Sequence, residues 1–201
     1  MKNLDSSFLK LSTIKREVHT GDLLVADPFL SEKWFNRSVI ALLDHDADGT
    51  TGVVLNIPID TTLNEIVDGI DREDPVPVFC GGPVGQDRLF FVHTLGEEVI
   101  PHSRMFMPGV WLGGDFDAAV AYINEGYPIP GFIRFFVGYS GWSAGQLDGE
   151  IATDTWAVHR PEGDPHSLLT GEGDTYWHNI VRQLGAHYRP WSVMPQNVQS
   201  N

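Results

Sequence analysis

The stretch Gly138–Ile151, GYSGWSAGQLDGEI, decides between two folds. Within it, Gly141-Trp142-Ser143-Ala144-Gly145 matches G-x-S-x-G, the sharp strand-to-helix turn that exposes the nucleophile of α/β-hydrolases. The same residues suit a plain structural turn. Glycines permit a tight backbone, Ser143 with Gln146 forms a capping-box pattern, and Trp142 packs beneath. The preceding apolar run FIRFFVGYS predicts a strand, and Leu147 with Ile151 predicts one face of a helix. Both readings share that context, so the rest of the chain must separate them. A hydrolase of this class places its acid and histidine on later strands, and only residues 152–201 follow. Asp154, Asp164, His159, His166 and His178 are available, yet residues 162–174 read as loop and fix no geometry. The structural turn is the expected reading, with a serine hydrolase using Ser143 as the alternative.

Working outward from the turn, GDLLVADP, RSVIALLDH and TTGVVLNIP predict three strands, the last two joined by the turn DADG. Thr62-Leu63-Asn64-Glu65 is a capping-box pattern opening a short helix that ends at Gly69. VPVFC and RLFFVHTL read as strands flanking Gly81-Gly82-Pro83, and GVWLGG as another. Asp115 is a helix N-cap before Phe116, Ala119, Val120 and Ile123 on one face, with Gly126 as the stop. TWAVHR is a later strand, and Tyr176, Ile180, Val181 and Leu184 mark a last helix closed by Gly185. Phe8, Leu11, Ile14 and Val18 recur at near-helical spacing, so residues 1–19 are expected to form an amphipathic extension. Residues 20–189 then form one domain, and a mobile tail starts at Pro190. Hairpins mixed with short helices, without regular strand–helix alternation, place the chain in the α+β class.

Composition limits the function classes. The 201 residues, 42% hydrophobic and 11% aromatic, suffice for a core without staples. One cysteine, Cys80, excludes an internal disulfide and suits a reducing compartment. No signal-peptide pattern or membrane-length apolar run is present, so a cytoplasmic protein with no membrane association is expected. The net charge is −14; residues 1–37 carry six basic and five acidic groups, and the remainder seven and 22. So acidic a body repels phosphate backbones and disfavours direct nucleic-acid binding.

Two further motifs resolve into structure. Asp44-His45-Asp46-Ala47-Asp48-Gly49 opens like an EF-hand loop, but Leu55 holds the twelfth position where a bidentate glutamate is needed. It reads as a hairpin turn, and no metal is expected. Gly81-Gly82-Pro83-Val84-Gly85 runs into a strand rather than a helix N-terminus, unlike a phosphate cradle. His93, ending an apolar strand, reads as a hydrogen-bonded core or rim residue.

Taken in order, GDLLVADPFL, FNRSVIALLDHDADGTTGVVLNIP, VFCGGPVGQDRLFFVH and GYSGWSAGQLDGEI resemble segments of the bacterial YqgE/AlgH family, over roughly residues 20–185. The chain departs from the family pattern at Ile57, where a basic residue is usual, and at Gly149 and Ser143. The resemblance implies a compact α+β fold whose curved sheet closes toward a barrel, with short peripheral helices. It supplies no catalytic residue, and the family's label of transcriptional regulator rests on genetic association. The expected function is a non-enzymatic module that binds a small molecule or protein partner in regulation, without a cofactor. Its candidate ligand-binding residues are Gly81, Gly82, Arg88, His93, Gly141, Trp142 and Gln146, on loops 81–85, 113–114 and 138–145 that could share one face.

Overall fold

The computed structural model describes residues 13–194. In chain order the elements are β1 (Leu23–Ala26), β2 (Val39–His45), β3 (Gly49–Val54), β4 (Pro58–Thr62), α1 (Leu63–Ile66), β5 (Pro77–Cys80), β6 (Val84–His93), β7 (Arg104–Met107) and β8 (Val110–Leu112). They continue with α2 (Phe116–Asn124), β9 (Ile133–Ser143), α3 (Gln146–Ala152), β10 (Trp156–His159), α4 (Gly173–Gln183) and α5 (Arg189–Ser192). Short 3-10 turns lie at Pro165–Leu169 and Ala186–Tyr188.

One sheet of ten strands runs β10-β1-β2-β3-β9-β6-β8-β7, with β5 also on β9 and β4 on β5. Every pairing is antiparallel except β5 with β9. The class is α+β, as the segment pattern predicts. The expected closure toward a barrel is corrected: β10 and β7 end the path unpaired with each other, and the sheet stays open.

Burial follows the pleat. Alternate residues of a strand face opposite sides, and β1 and β2 are apolar on both. Leu23, Val25, Val39 and Ala41 pack toward Trp177 and Val181 of α4. Leu24, Ala26, Ile40 and Leu42 pack toward Trp142 and toward Leu147 and Ile151 of α3. A third cluster joins Val78, Phe91 and Phe135 to Leu63 of α1 and Ala119 and Ile123 of α2. The helices are therefore covers, one per face or end of the sheet, and their apolar stripes exist to meet it.

Buried polar groups act as ties. Arg134 of β9 is buried and donates to the carbonyls of Leu55 (2.5 Å), Leu169 (2.8 Å) and Gly171 (2.9 Å), with its guanidinium 4.1 Å from the Phe79 ring centroid. Burial pushes its pKa down to about 10, so it stays charged at neutral pH. The buried Asn56 side chain accepts from Val39 N and donates to the carbonyls of Arg37 and Gly173, joining β2 to the start of α4. These bonds satisfy backbone groups that would otherwise be orphaned where strands end.

Several local expectations change. Thr13–Val18 is not helical: Thr13 bonds Asp154 through its N–H and hydroxyl, and Ile14 N–H donates to the Tyr188 hydroxyl. Phe8 and Leu11 lie outside the described residues. Past residue 189 the chain is packed: Trp191 is fully buried and stacks on Trp177 at 6.4 Å. α1 stops at Ile66, before Gly69. β4 and β7 have no clear alternation in sequence and become strands because neighbouring edges offer partners.

In the turn that opens α3, Trp142 is buried and edge-on to Trp156. Both indole N–H groups donate to one carboxylate oxygen of Glu150, each at 2.8 Å. Ser143 is exposed and ends β9, while Gly145, at φ 71°, takes the N-cap position. Only one half of the expected capping box forms, with Ser143 N–H donating to Gln146 Oε1 at 3.1 Å.

His93 is fully buried between Phe91 and Trp111. Its Nε2–H donates to the Gly113 carbonyl at 3.1 Å, and its Nδ1 has no partner among the described residues. Burial therefore holds its pKa below the ordinary value, and burial does the same for His159.

Two predictions follow from this packing. In denaturant unfolding, Trp142→Ala loses about 3–5 kcal/mol through its cavity, whereas Ser143→Ala, which breaks no cap, stays within about 0.5 kcal/mol of wild type. An equal loss in both contradicts the packing. The unfolded chain takes up protons on these histidines below about pH 6.5 while the folded chain resists. Their contribution is thus complete above that pH and is lost as pH falls toward the lowered folded values. Unfolding measured from pH 7.5 to 5.5 shows falling stability, and His93→Gln flattens the slope; an unchanged slope in that variant contradicts the assignment.

Candidate functional site

The β5–β6 loop crosses β9 with almost no space between the backbones. Gly81 N–H donates to Val137 O (2.9 Å), and Gly81 O accepts from Val54 N (2.9 Å) and from the Ser140 hydroxyl (3.1 Å). A Cβ on Gly81 would strike the Gly138 carbonyl oxygen, and one on Gly82 the Tyr139 carbonyl and Ser140 Oγ. Gly138 itself holds φ 71°, a left-handed conformation that glycine adopts without strain.

This seam brings Gly81 and Gly82 against residues 138–140, with Gly141 and Trp142 next along β9. Gly141 is exposed, Trp142 faces the core, and Gln146 on the first turn of α3 donates to Glu150 Oε1 at 3.0 Å. Arg88 is exposed farther along β6. His93 pairs with Ile133 whereas Val84 pairs with Tyr139, so His93 and Gly113 sit at the opposite end of the β6–β9 ladder. The glycine loops thus occupy two ends of one strand pair.

Around Ser143 lies an open, acidic cleft of about 570 Å³ that also takes in Asp44, Asp46 and Asp48. Among the described residues no histidine hydrogen-bonds its hydroxyl. Nucleophilic serine chemistry needs a base within about 3 Å, and among the described residues no carboxylate hydrogen-bonds the Ser143 hydroxyl either: Asp44 pairs with Arg104, and Asp46 caps the turn through Asp48 N and Gly49 N. Nor do the described residues gather three or more metal-ligating side chains anywhere.

Beside the glycine seam is a different surface. Lys33 and Trp34, on the turn before β2, face Ile57 and Ile59 from the approach to β4 and β4 itself. Cys80 and Val137 form the floor, with Gln86 at the side, enclosing about 300 Å³. Gln86 Nε2 donates to the Gly82 carbonyl, so the seam shapes one wall. The Lys33 ammonium lies 5.6 Å from the Trp34 ring centroid and has no ion-pair partner among the described residues. Most of the lining is apolar. These residues come from separate segments with no shared motif. The one sequence signal is Ile57, an apolar residue at the position where the resemblance described above leads one to expect a base.

With the geometry in place, comparison with known proteins fixes the lineage. The AlgH-like family model matches residues 23–189. A UPF0301 protein of Parabacteroides distasonis is 39% identical over 181 residues, 90% of each chain. One of Bacteroides fragilis is 38% identical over 194 residues, 96% of this chain and 97% of its own. Among solved structures, a Corynebacterium diphtheriae protein superposes with TM-score 0.73 at 22% identity, covering 90% of this chain and 95% of that one. The solution structure of the AlgH protein from Pseudomonas aeruginosa gives 0.64 at 24%, covering 92% and 100%. The last two establish a common fold, and the sequence matches establish descent: the chain belongs to the AlgH-like family of UPF0301 proteins.

Proposed function

We propose that the chain is a non-enzymatic cytoplasmic binding module with a regulatory role. Its ligand is a small molecule with an apolar body and an acidic group, seated in the cleft of Lys33 and Trp34. The observation that carries this reading is a concave apolar lining with a free ammonium at its mouth. Apolar walls supply affinity by burial, and a few polar groups fix orientation. At about 300 Å³ the cleft suits a ligand at the small end of the usual range.

Other features agree. The single thiol is buried, in keeping with a reducing compartment. No helix among the described residues is long and apolar enough to cross a membrane. The acidic charge of residues 38–201 opposes nucleic acid, so regulation acts through the bound ligand or a protein partner.

Anilinonaphthalene sulfonate, an apolar anion, tests the cleft. It should bind saturably at one site with enhanced emission and be displaced by decanoate. Lys33→Glu should weaken it by about fivefold, the effect of reversing one half-screened charge, and Ile59→Asp should abolish it. Binding that decanoate does not displace, or that neither variant alters, overturns the proposal.

A further inference from the structure

Helices α3 and α4 cover the two faces of the sheet along β1 and β2. The cleft of about 570 Å³ around Ser143 has no such cover, being lined only by strands and by the β2–β3 hairpin. Its floor is a stretch of open sheet in which Gly141 stands opposite Thr51, and Val84 opposite Tyr139. Alternate residues of a strand share a face, so Tyr139, Gly141 and Ser143 rise from one side of β9, and the last two are fully exposed.

Two glycines leave room for the Tyr139 ring on this floor. A Cβ on Gly141 would stand 3.5 Å from its Cε2, and one on Gly85 3.3 Å from its Cε1. The ring is thus laid between two residues that carry no side chain. Phe90 steadies it in a T-shaped contact at 5.9 Å, and Val84 beside it is 40% exposed.

Carboxylates rim the ring, and two of them have charge to spare. Asp48 makes no side-chain hydrogen bond among the described residues, and Asp46 uses one oxygen, which accepts from Asp48 N–H and Gly49 N–H. Asp44 is neutralised by Arg104, which reaches both of its oxygens at 3.2 and 2.8 Å. No lysine or arginine lines the cleft. The nearest other cation, Arg88, lies by Gly85 outside the lining and has Asp87 next to it in the chain. The face therefore stays negative, within a chain of net charge −14 that draws cations toward it. An aromatic ring beside unspent carboxylates suits arginine above lysine, because a planar guanidinium stacks on the ring while its fork of donors meets the acids. The same charge opposes a second copy of this chain.

We propose that this open face docks an arginine-bearing segment of a partner protein. It shares no lining residue with the Lys33–Trp34 cleft, so either can fail without the other. Fluorescein-labelled hexa-arginine, followed by anisotropy with the full chain at about 0.15 M salt, where distant charges are screened, should bind saturably at one site. Hexalysine should bind about threefold more weakly, as loss of an exposed cation–π contact implies. The double variant Asp46→Asn with Asp48→Asn keeps an acceptor oxygen in the turn and should weaken hexa-arginine about tenfold, whereas Glu97→Gln with Glu98→Gln, the same change of net charge elsewhere, should alter it less than about twofold. Gly141→Lys places a cation on the floor at a position whose Cβ meets only ordinary contact, and should abolish binding with the thermal midpoint unchanged. No saturable binding overturns the proposal. So does equal weakening by the two acid-to-amide pairs, equal affinity for hexalysine, or binding that survives Gly141→Lys. A dimer in sedimentation that Gly141→Lys dissolves would assign the face to a second copy and overturn it as well.

Discussion

β9 can serve three neighbours because two backbones cross with no side chain between them. Along residues 135–137 it pairs in parallel with β5, and along 133–137 in antiparallel fashion with β6. From Ser140 to Ser143 it pairs with β3 instead. The change of partner falls at Gly138, where β5 has run out into Gly81 and Gly82. Gly81 completes the handover, bonding β9 through its N–H and β3 through its carbonyl. The crossing therefore adds, beside the β3–β9 ladder, a second backbone tie between the two halves of the sheet that meet at β9.

The seam also explains the location of the Lys33–Trp34 cleft. Cys80 and Val137, just before the crossing, form the floor of the Lys33–Trp34 cleft, and Gln86 is fastened to Gly82 beside it. A rigid crossing holds that floor in place without any ligand.

Most of the fold was legible in the sequence, for specific reasons. β1, β2, β6 and β9 are dense apolar runs bounded by turn residues, and α2 and α4 carry periodic stripes, so local pattern and tertiary burial agree. β4 and β7 were not, because short polar or irregular segments become strands only when an edge receives them. Residues 13–18 misled because apolar spacing alone cannot distinguish a helix from an extended segment clamped by Asp154 and Tyr188. Trp191 shows the same limit at the other end: a lone tryptophan after a proline has no period, yet stacking on Trp177 fixes it. The importance of the glycines at 81, 82 and 138 could be read, but not their purpose, since close approach is a property of two segments. The Lys33–Trp34 cleft was invisible for the same reason, since Ile57, Cys80 and Val137 join it from far along the chain.

Alanine at Gly81 tests the crossing most directly. Gly149 in α3 is the matched control, since a Cβ there meets open space. Gly149→Ala should gain about 0.5–1 kcal/mol from its helix position. Gly81→Ala should lose about 3 kcal/mol or more in denaturant unfolding, because neither backbone can yield without breaking the β3–β9 or β5–β9 ladder. A Gly81→Ala variant within about 0.5 kcal/mol of wild type, with unaltered amide exchange in β3 and β9, would show that the crossing is not what holds the sheet together.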